Sequence, residues 1–221
     1  QAKYRDYAND IRESGSHLLA LINDILDLTR LDAGQTELQE EDFDLAALVA
    51  EALHMVEGQA ATARITVSAD IALDLPLLRA DRRRIKQILL NLLANALKFT
   101  AENGRVSVTG QLTAKGLALA VKDTGIGIAK EDIPRALERF GQVDYSLARK
   151  YEGSGLGLPL SKQFAELHGG DLVLESVVDA GTTVTVTLPR ERLVPRPQAV
   201  AAAKAQDSQF SAGNPISPAE V

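Results

Sequence analysis

The chain has 221 residues, of which 45% are hydrophobic and 24% are charged, a composition typical of a soluble globular protein. Its formal net charge is −6 and it has no basic stripe, which argues against nucleic acid as the main partner. Cysteine is absent, so disulfide bonds and cysteine-based catalysis or metal sites are excluded, and a reducing, cytosolic setting fits. No apolar run approaches the roughly 20 residues that span a bilayer.

Residues 1–34 are predicted to form one long helix that ends at Gly34. Two series of residues recur every seven positions along it: Ile11, Leu18 and Ile25 in one, and Tyr7, Ser14, Leu21 and Leu28 in the other. A narrow apolar seam of this kind is typical of a coiled coil or helical bundle. Such a helix is not stable alone in water, so we expect it to pack against a partner helix.

The rest of the chain alternates predicted strands and helices. Residues 35–44 form an acidic, extended connector, and Asp44 is placed to cap a second helix. The later helices are predicted over 81–100, 130–139 and 156–168, and the strands over 65–69, 78–80, 105–110, 117–122, 171–177 and 182–188. Residues 191–221 are rich in Pro, Ala and Ser and are predicted to be a flexible tail, which leaves 45–190 as the main domain.

Asn91, Asn95 and Lys98 lie in the back half of the helix that opens near Asp81. Residues four apart stack on one face of a helix, and leucines fill the opposite face. Two carboxamides and a lysine on the face opposite the leucines suit the binding of a metal–phosphate group. Taken alone, the same pattern is explained as well by a surface helix with two solvated asparagines.

Three glycine-containing stretches follow. Asp123 comes directly before Gly125 and Gly127 after a strand, where the carboxylate is placed to accept a hydrogen bond from an exocyclic amine, although a tight turn also explains the glycines. Residues 153–158 read Gly-Ser-Gly-Leu-Gly-Leu and open a helix, whose N-terminal N–H groups suit phosphate. Residues 181–183 read Gly-Thr-Thr, which a hairpin turn explains equally well.

Taken in order, Asn-x-x-x-Asn-x-x-Lys-Phe, Asp-x-Gly-x-Gly, a phenylalanine-containing segment and Gly-x-Gly-x-Gly resemble the N, G1, F and G2 boxes of sensor histidine kinases. The resemblance covers roughly residues 1–190, and residues 4–34 are similar to the second helix of the dimerisation and phosphotransfer hairpin in PleC- and DivJ-type kinases. It implies an α+β fold, an α/β sandwich of the histidine-kinase, gyrase and Hsp90 ATPase type, preceded by a long bundle helix. It also implies ATP and Mg²⁺ as ligands.

The resemblance implies roles for individual residues in the N and G1 boxes. Asn95, with Asn91 beside it, would hold Mg²⁺ against the triphosphate, and Lys98 next to Phe99 would neutralise phosphate charge, so Asn95 and Lys98 are the expected catalytic residues. Asp123 would bind the adenine amine, and its pocket wall would be formed by Gly125 and Gly127.

Further nucleotide contacts are implied downstream. Phe140 matches the second aromatic residue of the F box, whereas Leu137 stands where its first phenylalanine is expected. Residues 141–154 would form a lid, from which Arg149 and Lys150 would reach the phosphates, although a solvated basic turn is as good an explanation. The phosphates would be cradled by Gly153, Gly155, Leu156 and Gly157, and the adenine pocket lined by Thr182 and Thr183.

The chain departs from the family in the phosphoacceptor. The family's acceptor histidine precedes an acidic residue and a nearby Arg-Thr-Pro, and none of His17, His54 and His168 has that context. His168, before two glycines, is interpreted as a cationic helix C-cap. The acceptor is therefore expected outside this chain, which alone is not expected to phosphorylate itself.

Two hypotheses remain open. The first is a catalytic ATP-binding region whose parent forms a homodimer through the helical hairpin and passes phosphate to the receiver domain of a response regulator. Its expected location is the cytoplasm, as the cytosolic portion of a sensor. The second is a non-catalytic module that docks a response regulator. A gyrase- or Hsp90-like ATPase is disfavoured because residues 84–87 contain no acid ahead of Asn91.

Overall fold

The computed structural model describes residues 2–141 and 154–196. The chain begins with the predicted long helix, α1, which spans Ala2–Asp32. The elements that follow are β1 (Glu40–Phe43), α2 (Leu45–Thr62), β2 (Thr66–Ile71), β3 (Leu77–Asp81), α3 (Arg82–Phe99), β4 (Arg105–Leu112), β5 (Gly116–Asp123), α4 (Ile133–Ala136), α5 (Gly157–Leu167), β6 (Asp171–Val177), β7 (Gly181–Pro189) and β8 (Leu193–Val194). We refer to residues 40–196 as the α/β domain. Among the described helices, none is long and apolar enough to cross a membrane.

A mixed five-stranded sheet forms one layer of the α/β domain. Its strand order is β2-β4-β5-β7-β6, and only the β2–β4 pair is parallel. Alternate residues along these strands, such as Val106 and Val108 in β4, are fully buried against the helices. The helical layer consists of α2, α3 and α5, whose apolar faces join the same core. This arrangement confirms the predicted α/β sandwich.

Helix α3 is fixed at its start and along one face. The side chain of Asp81 accepts a hydrogen bond from the Arg84 backbone N–H at 3.1 Å, as expected of an N-cap. Its buried face is formed by Ile85, Ile88, Leu89, Leu92, Leu93, Ala96 and Leu97. Because this face is anchored in the core, the opposite face of α3 is held in a defined orientation.

A second, three-stranded sheet (order β1-β3-β8) changes two predicted boundaries. The predicted connector contains β1, and residues 193–194, which were assigned to the flexible tail, form β8 against β3. Arg192 also forms a salt bridge with Glu40 at 2.8 Å. The β3–β8 pairing and the Arg192–Glu40 bridge join segments more than 100 residues apart, and even β1 and β3 are separated by the whole of α2, so no local pattern could have indicated these contacts. The predicted helix over 130–139 is also shorter, because α4 ends at Ala136.

The last turns of α1 pack on the α/β domain. Leu28, predicted as a seam residue, is only 5% exposed and belongs to the domain core. Next to it, both guanidinium N–H groups of Arg84 donate to the Asp27 carboxylate, at 2.7 and 2.9 Å, and the Arg84 guanidinium lies 4.5 Å from the Phe164 ring centroid. The predicted seam therefore ends before Leu28, whereas Ile25 remains largely exposed.

His168 differs from its predicted role as a cationic cap. Its side chain is fully buried, and the Asp81 backbone N–H donates to its Nε2 at 3.1 Å. Nδ1 lies 2.7 Å from the Phe164 carbonyl oxygen, which only accepts, so Nδ1 carries the hydrogen. Burial lowers the pKa of His168, in agreement with a neutral ring. The residue links α5 to β3 instead of balancing a helix dipole.

Candidate functional site

Asp123 ends β5 on the face of the sheet that is covered by helices. It is only 7% exposed, and its Oδ1 accepts hydrogen bonds from the backbone N–H groups of Gly125 at 2.8 Å and Thr182 at 3.2 Å. Burial raises the pKa of the Asp123 carboxyl, and these two hydrogen bonds lower it in part. Within the described part of the chain, no group donates to Oδ2. The structure thus fixes the carboxylate through Oδ1, and Oδ2 has no donor among the described residues.

The loop after Asp123 approaches other backbone so closely that it admits only glycine. Gly127 has φ +67°, and a β-carbon there would collide with the Val177 carbonyl oxygen. A β-carbon on Gly125 would collide with the carbonyl oxygen of Phe99 at the end of α3. The next residue, Ile126, donates its N–H to that same Phe99 oxygen at 3.2 Å. The two glycines therefore join the end of α3 to the β6–β7 hairpin.

Ser176 belongs to this site, although the sequence interpretation did not include it. Its hydroxyl accepts a hydrogen bond from the Ile128 N–H at 2.7 Å, donates to the Gly181 carbonyl oxygen at 2.9 Å and lies 2.8 Å from the Thr182 hydroxyl. A single serine thus connects the Gly127 loop with the turn before β7. Only the hairpin register, which places Ser176 directly opposite Thr182, could have pointed to it.

Asn91 and Asn95 lie one turn apart on the exposed face of α3 and are half-buried. The Nδ2 of Asn91 donates to the Gly157 carbonyl oxygen and the Ser161 hydroxyl, both at 3.4 Å. Because a carbonyl oxygen only accepts, the amide nitrogen faces α5 and Oδ1 faces away from it. That orientation presents the oxygen ligand that Mg²⁺ prefers, so the donor set fits the predicted metal.

Lys98 lies one turn beyond Asn95 on the same face. It is half-buried, its Nζ lies 4.8 Å from the Phe99 ring centroid, and burial lowers its pKa. Among the described residues, no cluster of three or more His, Cys, Asp or Glu side chains could hold a metal ion.

The comparison with protein families addresses the same segment. Residues 80–192, about half of the chain, match the family described as histidine kinase-, DNA gyrase B-, and HSP90-like ATPase. The matched region begins just before α3 and contains both the Asn91, Asn95 and Lys98 face of that helix and the Asp123 loop. The chain belongs to this family.

Two relatives of this ATPase-family chain are named histidine kinases. It is 43% identical over 187 residues to histidine protein kinase DivJ of Caulobacter vibrioides, covering 85% of this chain and 31% of DivJ. It is 41% identical over 201 residues to the circadian input-output histidine kinase CikA of Synechococcus elongatus, covering 88% of this chain and 27% of CikA. The chain thus spans about a quarter to a third of the length of these curated relatives.

Among solved structures, full-length ShkA in complex with AMPPNP superposes with a TM-score of 0.76 at 32% identity, covering 89% of this chain and 40% of that one. Together these findings confirm the family that the four boxes indicated. The α/β domain is thus an ATPase-family domain that is similar to the corresponding part of proteins named histidine kinases.

Two predicted site residues do not lie where the sequence interpretation put them. Leu156 is fully buried in the core, so its side chain packs and does not face a ligand. Thr183 pairs with Lys122 and Glu175, and strand alternation puts its side chain on the outer face of the sheet, opposite to Thr182.

The phenylalanine and glycine boxes are described only in part. The side chain of Phe140 is 65% exposed, and its backbone N–H donates to the Gly155 carbonyl oxygen at 3.1 Å. Gly155 has φ +68°, and Gly157 begins α5 beside Asn91. Leu137, the departure from the family's first phenylalanine, packs against the core. The remaining predicted lid contacts fall outside the described residues: Arg149, Lys150 and Gly153.

Proposed function

We propose that this chain binds Mg-ATP and is the catalytic region of a kinase that transfers the γ-phosphoryl group of ATP to a histidine of its dimerisation domain. The observation that carries the proposal is that the candidate site has two ends, joined by α3, which suit the two ends of a nucleotide. We call them the base end and the phosphate end. One end has a buried carboxylate, Asp123, with one oxygen fixed by backbone N–H groups. The other end has two carboxamides and a lysine on one helix face, which suit a metal–triphosphate.

At the base end, the free Oδ2 of Asp123 would accept a hydrogen bond from the adenine amine. Burial from water strengthens that interaction relative to one at the surface. Gly125 and Gly127 let the backbone form a close wall beside the ring, since side chains at these positions would collide with neighbouring backbone. Thr182 lies on the same wall, because its N–H shares the Asp123 carboxylate.

At the phosphate end, Asn95 and Asn91 would present amide oxygens to Mg²⁺, and Lys98 would neutralise a phosphate oxygen. When bound, Mg²⁺ bridges phosphate oxygens and offsets the charge that develops during phosphoryl transfer. The residues of the chain contribute positioning and charge complementarity, which are the main sources of catalysis in this reaction class. The N–H groups at the start of α5, with Gly155 and Gly157, would receive phosphate oxygens.

The acceptor histidine, the partners and the location belong to the parent protein and are part of the same proposal. Among the histidines whose side chains are described, His54 is exposed beside Glu57, and His168 is buried with both ring nitrogens paired to backbone groups. We therefore place the acceptor on a helix supplied by the parent dimer, to which the apolar stripe of α1 would pack. A response-regulator receiver domain would take the phosphoryl group, and the whole would act in the cytoplasm.

The first test is calorimetric titration of ATP with and without Mg²⁺ into the chain, Asn95→Ala and the control Gln111→Ala, which removes an exposed carboxamide elsewhere. We expect metal-dependent binding by the chain and the control, with a loss of at least about tenfold in Asn95→Ala because a metal ligand is removed. Absence of binding by the intact chain would overturn the proposal.

The second test addresses the transfer itself. The chain is mixed with radiolabelled Mg-ATP and a separately produced dimerisation hairpin that carries an acceptor histidine. Acid-labile, base-stable label on the hairpin is expected, and its absence under conditions in which ATP binds would leave a nucleotide-binding module without kinase activity.

A further inference from the structure

We propose that Ser176 is a specificity-determining positioning residue, which orients the Thr182 hydroxyl so that the site selects a 6-amino purine over a 6-oxo purine. This inference rests on the proposed function, because it concerns the base end of the nucleotide site. Ser176 belongs to none of the sequence motifs and would act on the base only through Thr182.

The two residues form a cross-strand pair at the end of the last hairpin. Ser176 in β6 lies directly opposite Thr182 in β7. They continue the alternation of Leu174 and Val184, whose side chains are buried on the helix-covered face of the sheet. Both hydroxyls therefore lie on the same face as Asp123, and both residues are half-buried.

The direction of each hydrogen follows from the partners of Ser176. A hydroxyl has one hydrogen to donate and two lone pairs. The Ile128 N–H occupies one lone pair at 2.7 Å, and the Gly181 carbonyl oxygen, which only accepts, takes the Ser176 hydrogen at 2.9 Å. The remaining lone pair of Ser176 receives the hydrogen of the Thr182 hydroxyl at 2.8 Å. Thr182 is left with lone pairs alone for any further partner.

The Thr182 hydroxyl and the Asp123 carboxylate then present acceptors on one wall. They are joined directly, because the Thr182 N–H donates to Asp123 Oδ1 at 3.2 Å. An exocyclic amine carries two hydrogens and satisfies acceptors, whereas a 6-oxo group carries none and would meet lone pairs with lone pairs. Ser176 thus turns a hydroxyl that could donate or accept into one that only accepts.

The experiment measures dissociation constants of Mg-ATP and Mg-ITP, whose bases differ at position 6 as amine and oxo group, on the full chain. The variants are Ser176→Ala and Thr182→Val, and Ser107→Ala on the outer face of the sheet is the matched control. We expect the chain and the control to prefer ATP by at least about 100-fold, because the site is built to hydrogen-bond the amine that ITP lacks.

In Ser176→Ala the Thr182 hydroxyl loses its acceptor and can turn its hydrogen toward the base. ATP is therefore expected to bind about five- to tenfold more weakly, while ITP binds as tightly as before or more tightly. Thr182→Val should weaken ATP without improving ITP. The Ser176→Ala effect on the ATP-to-ITP ratio should vanish when Thr182→Val is already present.

The outcomes separate this inference from the proposed function. Equal weakening of ATP and ITP in Ser176→Ala would show a purely structural role and overturn the inference while the proposed function stands. Unchanged affinities for both nucleotides in Ser176→Ala would also overturn the inference. If Ser176→Ala does not fold, as judged by thermal melting, Thr182→Val decides the matter, because an unaltered ratio in that variant overturns the inference. Failure of the unaltered chain to bind either nucleotide would overturn both.

Discussion

The two ends of the candidate site are built differently. At the base end, Asp123 and Ser176 take part in hydrogen bonds of 2.7 to 3.2 Å, and Gly125 and Gly127 leave no space for a side chain. At the phosphate end, the hydrogen bonds that Asn91 makes with described residues are both 3.4 Å long, and its face of α3 is half-buried. The base end is therefore preorganised, whereas the described side chains of the phosphate end are held by weaker contacts.

Helix α3 carries this difference along its length. Its C-terminal residue, Phe99, accepts the Ile126 N–H and so belongs to the base end, whereas Asn91 two turns earlier faces α5. The helix is anchored by its apolar face and by the Arg84–Asp27 pair. Changes at one end should therefore leave the other end intact, which the following predictions exploit.

The largest effect is expected from Asp123→Asn. The amide oxygen keeps the two backbone hydrogen bonds, but the amide nitrogen would meet the amine of adenine donor to donor. ATP binding should fall by at least about 100-fold, since a buried polar pair is mismatched. Calorimetry with ATP and ITP measures this, and thermal melting without nucleotide checks that the fold is retained. An ATP affinity within threefold of the unaltered chain would contradict the assigned role of Asp123.

The second prediction compares the two glycine boxes. Gly127→Ala should lower the free energy of unfolding by about 2–4 kcal/mol, because it combines a left-handed backbone with a steric collision. Gly157→Ala should be neutral or raise it by about 0.5 kcal/mol, because its β-carbon lies 3.6 Å from the nearest atom, on Asn91, at the start of a helix.

Urea denaturation without nucleotide measures both changes. Equal destabilisation by the two variants would show that the phosphate end is packed as tightly as the base end, and would remove the contrast drawn above.

The third prediction concerns the looser end alone. Ser161→Ala removes one of the two acceptors that hold the Asn91 amide nitrogen, so Mg-ATP affinity should fall by about two- to fivefold. The preference for ATP over ITP should stay the same, because the base end is untouched. Calorimetry with and without Mg²⁺ distinguishes a metal-linked loss from a general one, with the exposed Ser68→Ala as control.

The smallest effect is expected in the pH dependence of stability without ligand. Burial raises the pKa of Asp123 above its ordinary value of 3.8, so the folded chain holds this proton at pH values where the unfolded chain has released it. The stability contributed by the protonated group is present at low pH and is lost as the pH rises through the raised pKa. Asp123→Asn lacks this titration.

Urea denaturation of the unaltered chain and Asp123→Asn between pH 4 and pH 7.5 measures the difference. The advantage of Asp123→Asn in unfolding free energy should grow as the pH rises. Because His168 is present in both proteins, its titration cancels in the comparison. An advantage that shrinks with rising pH would show that the ionised carboxylate is stabilised by its two N–H partners more than it is destabilised by burial.

Much of the fold and part of the site could be predicted from local sequence. The cap at Asp81 and the spacing of Asn91, Asn95 and Lys98 depend only on helical periodicity, so they were recognised correctly as one face of a helix. Asp123 and its glycines were recognisable because their chemistry lies within five consecutive residues. Each of these features is complete within a few turns or a single loop.

Other features required distant pairing. Thr182 and Thr183 are indistinguishable in sequence, and only the register of β7 between β5 and β6 puts one beside Asp123 and the other outside. Leu156 lies within the glycine box, yet the packing of α5 buries its side chain in the core. Leu28 follows the heptad pattern, but the α/β domain offers it a closer apolar surface.

The sequence by itself determined the family, the sandwich fold and the residues of two motifs, Asn91 to Lys98 and Asp123 to Gly127. Periodicity and short motifs are properties of neighbouring residues, so they can be read from the sequence alone. Only the tertiary structure decided which side chains meet across strands and between α1 and the α/β domain. Hydroxyl direction at Ser176, the neutral ring of His168 and the free oxygen of Asp123 all depend on partners supplied by other elements. A hydrogen bond is defined by both of its groups, and the chain brings them together only when it folds.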